Sequence, residues 1–369
     1  MYFNFIFLQD SLVVSSTSME RQSKDNQNEE DMISDLSDDV LIHILSSLNT
    51  KKAVQTSILS KRWTNLWKTL PMLILSTRNF STEESFQEFA SQILSLRDDS
   101  TSIHTLCFHH TFNLKASLFQ RIVKYAISHN VQHLLIDISR HITDFPSFFF
   151  SCHTLTSLDL FGLGHTIFPN SLNSPSLTNL SLRYFAFRCN DDGFVDPFST
   201  LKMLNTLLIA GCKVLGAQNL CISSTKLINL TIMYPQKESE SSFGIELYAP
   251  SLHTFAFTGR YIQKLFGSKL VFSSIKHVNI DLLWPWESNL VENSPIILSW
   301  LVELVNIESL TVCSNTLRVL YILSSMLLFI LYLIYFKNMT CMKLILILLD
   351  WLGSFLSSWY IEGWAPFLV

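Results

Sequence analysis

The feature that most limits how this chain can fold is a spacing. Apolar residues recur at positions 1, 4 and 6 of a short window, nine times between residues 103 and 312. The windows are Ile103-Leu106-Phe108, Val131-Leu134-Ile136, Leu155-Leu158-Leu160, Leu177-Leu180-Leu182, Leu204-Leu207-Ile209, Leu227-Leu230-Ile232, Leu252-Phe255-Phe257, Ile275-Val278-Ile280 and Ile307-Leu310-Val312. Their first residues are separated by 28, 24, 22, 27, 23, 25, 23 and 32 residues. The second and third residues of each window are two apart, so they share one face of a strand. A single strand with its return segment cannot bury that face. Stacked copies can, by pairing their strands into a parallel sheet over a continuous core.

A period of 20 to 30 residues carrying L-x-x-L-x-L is the leucine-rich-repeat signature. The leucines are core, and function falls to the residues between them: His104, Thr105, Gln132, His133, Thr156, Ser157, Asp159, Thr178, Asn179, Ser181, His253, Thr254, Lys276, His277 and Asn279. The repeats are irregular, which predicts an outer side made mostly of loops with occasional helices. One such helix is expected over Leu118 to His129, with Ile122, Val123, Ala126 and Ile127 along one face. Another follows Ser81-Thr82-Glu83-Glu84, a capping box, with Phe86, Phe89, Ala90, Ile93 and Leu94 as its apolar stripe. Met72 to Ser76 reads as a short strand.

Ahead of the repeats, residues 34–71 read as three short helices. Ser37 is placed to cap the first through the N–H of Val40, and Asp38 and Asp39 put negative charge in its first turn. Val40, Leu41, Ile44, Leu45 and Leu48 form its stripe. The second runs from about Lys51 to Ser57 with Ala53 and Val54. The third runs from about Ser60 to Leu70, with Trp63, Leu66 and Trp67 on one side, and Pro71 stops it. So small a unit cannot bury all this apolar surface by itself, so it docks on its neighbour or binds a partner.

The residues of this stretch resemble a known family. Leu36-Ser37-Asp38-Asp39-Val40-Leu41, His43-Ile44-Leu45, Ala53-Val54, Leu59-Ser60-Lys61-Arg62-Trp63 and Leu66-Trp67 match the F-box in order and spacing, in the form linked to leucine-rich repeats in plants. Ser37 departs from the commoner proline. The resemblance, which covers about 32–316, implies an α+β or α/β solenoid fold: a three-helix F-box over 31–75, then an irregular leucine-rich-repeat array with a parallel sheet over 76–316. It implies a Skp-type adaptor, and through it a cullin, as partners. The adaptor-binding residues would be Leu36, Ser37, Val40, Leu41, Ile44, Leu45, Leu48, Val54, Leu59, Trp63, Leu66 and Trp67. The implied function is that of a substrate-recognition subunit of a Skp-cullin-F-box ubiquitin ligase, working in the cytoplasm or nucleus. The FBD region that often ends such proteins is not evident.

Both ends of the sequence differ from this pattern. Residues 1–30 carry no periodic pattern and read as a disordered extension, with Met19 as an alternative start. They lack a basic n-region and fit a secretory signal poorly. Residues 317–369 form a hydrophobic, helix-prone tail in which 319–336 has no charge over eighteen positions, a candidate membrane span. Three readings stay open for it: a membrane anchor, a buried terminal helix, or an erroneous ending such as translated intron in place of the family's usual one. The anchor reading belongs with the alternative function, a membrane-tethered repeat protein with a degenerate F-box.

The chemistry of an enzyme is not written in this chain. It has no P-loop, no G-x-G-x-x-G, no H-E-x-x-H and no G-x-S-x-G. A net charge of −4 argues against general nucleic-acid binding. The seven cysteines, Cys107, Cys152, Cys189, Cys212, Cys221, Cys313 and Cys341, form no C-x-x-C pair and read as free thiols. The expectation is a non-catalytic adaptor with no cofactor and no metal.

Overall fold

The structure is a computed structural model. It describes residues 33, 36–110, 116–138, 151–169, 172–189, 195–234, 243–260, 262–283, 296–297, 299–304, 306–317 and 319. The extension expected at 1–30 and the candidate membrane span at 319–336 lie outside the described residues, save Val319. Among the described residues, no helix is long and apolar enough to cross a membrane.

Contacts divide the chain into residues 1–41 and 42–369, with the division inside the first helix, α1 (Asp38–Ser46). In the first unit, the Ser37 carbonyl accepts from the N–H groups of Val40 and Leu41, both at 3.1 Å, and so starts the helix. Asp38 and Asp39 occupy its first turn, where the dipole favours them.

In the second unit, Asn49 caps α2 (Thr50–Gln55) by accepting from the Lys52 N–H at 2.9 Å. The chain continues as a 3-10 turn over Thr56–Ile58. The third helix expected over 60–70 is not continuous. Residues 61–65 are turns, and only Leu66–Thr69 is helical, as a 3-10 turn. Ser60, Thr64, Asn65 and Thr69 explain this. Their short polar groups bond nearby backbone and favour turns over helix interiors, as Thr64 does to the Ser60 carbonyl and Thr69 to that of Leu66. Trp63, Leu66 and Trp67 are buried nonetheless.

β1 (Met72–Ser76) opens the main sheet. α3 (Glu83–Leu96) follows, but its cap is Thr82, one residue later than expected. The Thr82 hydroxyl accepts from the Ser85 N–H at 3.2 Å. That register puts both Glu83 and Glu84 inside the first turn, at the positive end of the dipole, with Glu83 accepting from the Gln87 side chain. Phe86, Ala90, Ile93 and Leu94 form the buried face. β2 (Thr105–His110), α4 (Ala116–Ser128) and β3 (His133–Ile138) come next, with α4 close to its expected span. The remaining strands are β4 (Ser157–Phe168), β5 (Asn179–Arg188), β6 (Thr206–Ala210), β7 (Lys213–Leu215), β8 (Asn219–Ser223), β9 (Asn229–Tyr234), β10 (Gly244–Tyr248), β11 (Thr254–Gly259), β12 (Leu265–Gly267), β13 (His277–Leu282) and β14 (Ser309–Val312), with α5 (Lys269–Ser274) between β12 and β13.

The main sheet has the order β1-β2-β3-β4-β5-β6-β9-β11-β13-β14, all parallel. Its register follows the sequence period. Leu106, Leu134, Leu158, Leu180, Leu207, Leu230, Phe255, Val278 and Leu310 are successive cross-strand partners. Every window residue from Ile103 to Ile280 is buried. Only Leu310 and Val312, on the edge strand, stay half-exposed.

The outer side is more ordered than the sequence suggests. β8, β10 and β12 form a second parallel sheet, in the order β12-β10-β8. In G-I-E-L-Y the burial alternates, with Ile245 and Leu247 buried and Gly244, Glu246 and Tyr248 half-buried or exposed, while in N-L-C-I-S the three central residues Leu220, Cys221 and Ile222 are all buried. These repeats therefore carry two strands each, one for each side of the core.

β5 shows how the chain turns between strands. Asn179 to Arg183 pair with β6, and Ala186 to Arg188 pair with β7. The corner is Tyr184, at φ 59°, opposite an irregularity in β4 between Phe161 and Thr166. Gly211 lies beside it at φ 58°, and a Cβ there would come within 2.7 Å of the Tyr184 ring. Gly211→Ala is expected to destabilise the protein by about 1–3 kcal/mol, from the left-handed backbone and the clash together, as read by chemical denaturation.

Candidate functional site

The N-terminal helical segment is tied to the main sheet within the second unit. The Ile74 N–H donates to the Thr50 hydroxyl at 2.9 Å, and the Lys51 ammonium donates to the Asn79 carbonyl at 2.6 Å. That ammonium also sits 4.2 Å from the centre of the Phe80 ring, a cation–π contact. Arg97 donates to the Leu70 carbonyl from a buried position.

This anchoring sorts the twelve residues expected to meet an adaptor. Leu45, Trp63, Leu66 and Trp67 are buried, as is Leu41 in the first unit. Leu48 and Val54 are half-buried, as is Leu36 in the first unit. Ser37 is exposed, and Val40 on α1 is 42% exposed. In the second unit, Ile44 is 42% and Leu59 65% exposed. The sequence reading missed Ile58, which is 87% exposed, the most open large apolar side chain among the described residues. Its signal was present: Ile58-Leu59 is an apolar pair among Thr, Ser and Lys, off the helical stripe. An exposed large apolar group tells more than a buried one, because folding supplies no reason for it.

The open face of the main sheet carries the polar residues expected there, all exposed or half-buried. Their most charged part spans four adjacent strands. His109 Nδ1 lies 3.7 Å from Asp137 Oδ2, and Arg183 Nη1 lies 3.3 Å from Asp159 Oδ1. Burial raises the pKa of Asp159, while Arg183 and the Ser181 hydroxyl oppose the rise. Burial, and then the neighbouring His104 ring at 4.7 Å, hold the pKa of His133 down. Burial also pushes the Cys107 thiol up to about 11, which keeps it protonated and unreactive. Among the described residues, no group of three or more His, Cys, Asp or Glu could hold a metal ion.

Asp159 has a pH consequence. Its pKa is raised on folding, so its contribution favours the folded state at low pH and is lost as pH climbs through its folded pKa. Relative to Asp159→Asn, the wild type is expected to lose melting temperature as pH rises from about 3 through the carboxylate range. Parallel melting curves for the two proteins across that range would contradict this.

The fold and this surface together define a class: a parallel α/β repeat protein whose N-terminal helical segment keeps apolar side chains in solvent. Comparison with known proteins gives it a family. Residues 33–75 match the F-box domain. F-box/LRR-repeat protein 25 of Arabidopsis thaliana is 31% identical, over 60% of this chain and 84% of that protein. An FBD-associated F-box protein of the same plant is 25% identical, over 81% of this chain and 69% of that protein. A second FBD-associated F-box protein is 36% identical, but this chain spans only 42% of its length. The chain belongs to the F-box/LRR-repeat family.

Proposed function

We propose that this chain is a non-catalytic substrate-recognition subunit of a Skp-cullin-F-box ubiquitin ligase, acting in the cytoplasm or nucleus. The observation that carries the reading is the set of apolar side chains left in solvent on the segment that matches the F-box, chiefly Ile44, Ile58 and Leu59. In this reading they meet a Skp-type adaptor. Leu45, Trp63, Leu66 and Trp67 act from beneath by holding the segment's shape. The parallel sheet is the ladder of a leucine-rich-repeat solenoid, and its open face, from His109 to Arg183 onward, receives a target protein. The chain supplies proximity: it raises the target's local concentration beside a ubiquitin-conjugating enzyme held elsewhere in the complex.

Co-expression of the full chain with a Skp-type adaptor and a cullin tests the reading. The expected result is a stoichiometric complex through size exclusion. A folded chain that elutes free of the adaptor would overturn it.

A further inference from the structure

The second sheet carries a cleft on its outward side, which the F-box reading does not use. β10 turns Ile245 and Leu247 into the core and Gly244, Glu246 and Tyr248 outward. Glu246 is flanked in register by Cys221 on β8 and Phe266 on β12. The cleft holds about 380 Å³, and Glu246, Tyr248, Phe266, Gly267, Phe272 and Glu303 are among its lining residues. This is at the small end of the range for binding pockets, roughly 300–1,000 Å³.

Each wall has a structural cause. Gly244 leaves room for the Phe266 ring, since a Cβ there would come within 2.7 Å of it. Phe272 packs beneath, and a Cβ on Gly267 would meet its ring at 3.0 Å. Glu303 arrives on a helical turn fixed by Trp300, which is buried edge-on against Phe255 and Phe257. Tyr248 and Phe266 remain 49% and 43% exposed, so their rings are available to a visitor.

The electrostatics of the cleft are one-sided. The Tyr248 hydroxyl donates to Glu246 Oε1 at 2.9 Å, and the Cys221 thiol donates to Oε2 at 3.3 Å. Both donors are neutral. Burial, with Glu246 adding to it, pushes the Cys221 thiol up to about 12, and the bond to Glu246 raises the Tyr248 hydroxyl, so neither gives up its proton near neutrality. Glu246 is thus oriented but not neutralised, with lone pairs to spare. Among the described residues, neither Glu246 nor Glu303 is in an ion pair. Lys264 and Lys269 flank the segment in sequence but do not line the cleft. The Ser268 hydroxyl is occupied in capping α5.

We propose that this cleft is a docking site for a basic side chain of a protein partner, a lysine or arginine seated on Tyr248 and Phe266 and paired with Glu246 and Glu303. Two π faces and two uncompensated carboxylates are the chemistry that recognises an organic cation. The cleft opens along a sheet face and does not enclose its contents. That suits a side chain whose main chain stays outside better than a compact free ammonium ion.

Binding to the full chain would be measured by calorimetry with three probes: a tri-lysine peptide, the same peptide acetylated on every Nε, and tetramethylammonium. The tri-lysine peptide is expected to bind, and acetylation to weaken it by about tenfold or more. Glu246→Gln and Phe266→Leu should each weaken the tri-lysine peptide by about fivefold or more. Glu84→Gln, the same loss of charge on α3, should leave binding unchanged. The proposal is overturned if the acetylated peptide binds equally, if Glu84→Gln matches Glu246→Gln, or if tri-lysine does not bind. Tighter binding of tetramethylammonium than of the peptide would also overturn it, making this a small-cation site. Adaptor capture in the same preparations should be unaffected by Glu246→Gln, so failure here and failure of the F-box reading are distinguishable.

Discussion

Replacing Ile58 by aspartate is expected to cut capture of a Skp-type adaptor by about 30-fold or more, the equivalent of about 2 kcal/mol, the threshold for an interface hot spot. The melting temperature should hardly move. Ile58 is 87% exposed, so the folded chain loses almost no contact when it is replaced, and such surface changes usually stay within about 0.5 kcal/mol. In a complex the aspartate would be buried against an apolar partner surface without a counter-charge, which is costly. Leu45→Asp is the instructive contrast. Leu45 is fully buried, so that variant should also lose the adaptor, but through loss of local structure visible by circular dichroism. Wild-type affinity in a folded Ile58→Asp protein, measured by surface plasmon resonance, would refute this assignment of the docking surface.

Trp300→Ala should be among the most damaging single substitutions in the repeats, at about 3–5 kcal/mol. The ring lies 5.4 Å from Phe255 at 76° and 5.3 Å from Phe257 at 81°, both edge-on and all fully buried. Such aromatic pairs add about 0.5–1.5 kcal/mol beyond the area they bury. Among the described residues the buried indole N–H has no hydrogen-bond partner. Trp300→Phe should therefore cost much less, because it removes an unsatisfied donor along with part of the packing. Repeats couple mainly to their neighbours, so hydrogen exchange in Trp300→Ala should accelerate around β11 and β13 while β2 and β3 keep their protection. Uniform acceleration would show that the array unfolds as one unit.

The repeat windows were legible because their signal is local and periodic. Leu180 is buried for the same reason as Leu158 and Leu207, its register partners, and each window announces itself without its neighbours. The second sheet was harder to see. Leu220 and Ile222 alternate, as do Ile245 and Leu247, but each run is only five residues long, and a search for one strand per repeat passes over them. Trp63, Leu66 and Trp67 have helical spacing, but the polar residues between them favour turns, so the stretch over 60–70 is not one helix.

The sequence by itself determined the period of this protein and the inward face of the nine strands that carry its repeat windows. Those follow from residue type and spacing, which short-range geometry converts directly into burial. Only the tertiary structure decided which apolar residues were left over. Leu45 and Ile58 look equally apolar in sequence. One is covered and the other is not, because the bonds from Thr50, Lys51 and Arg97 fix how the helical segment lies on the first strand of the sheet. The cleft around Glu246 has the same origin. Its walls come from strands some 20 residues apart and from a helix later still, and only the pairing of those strands brings them together.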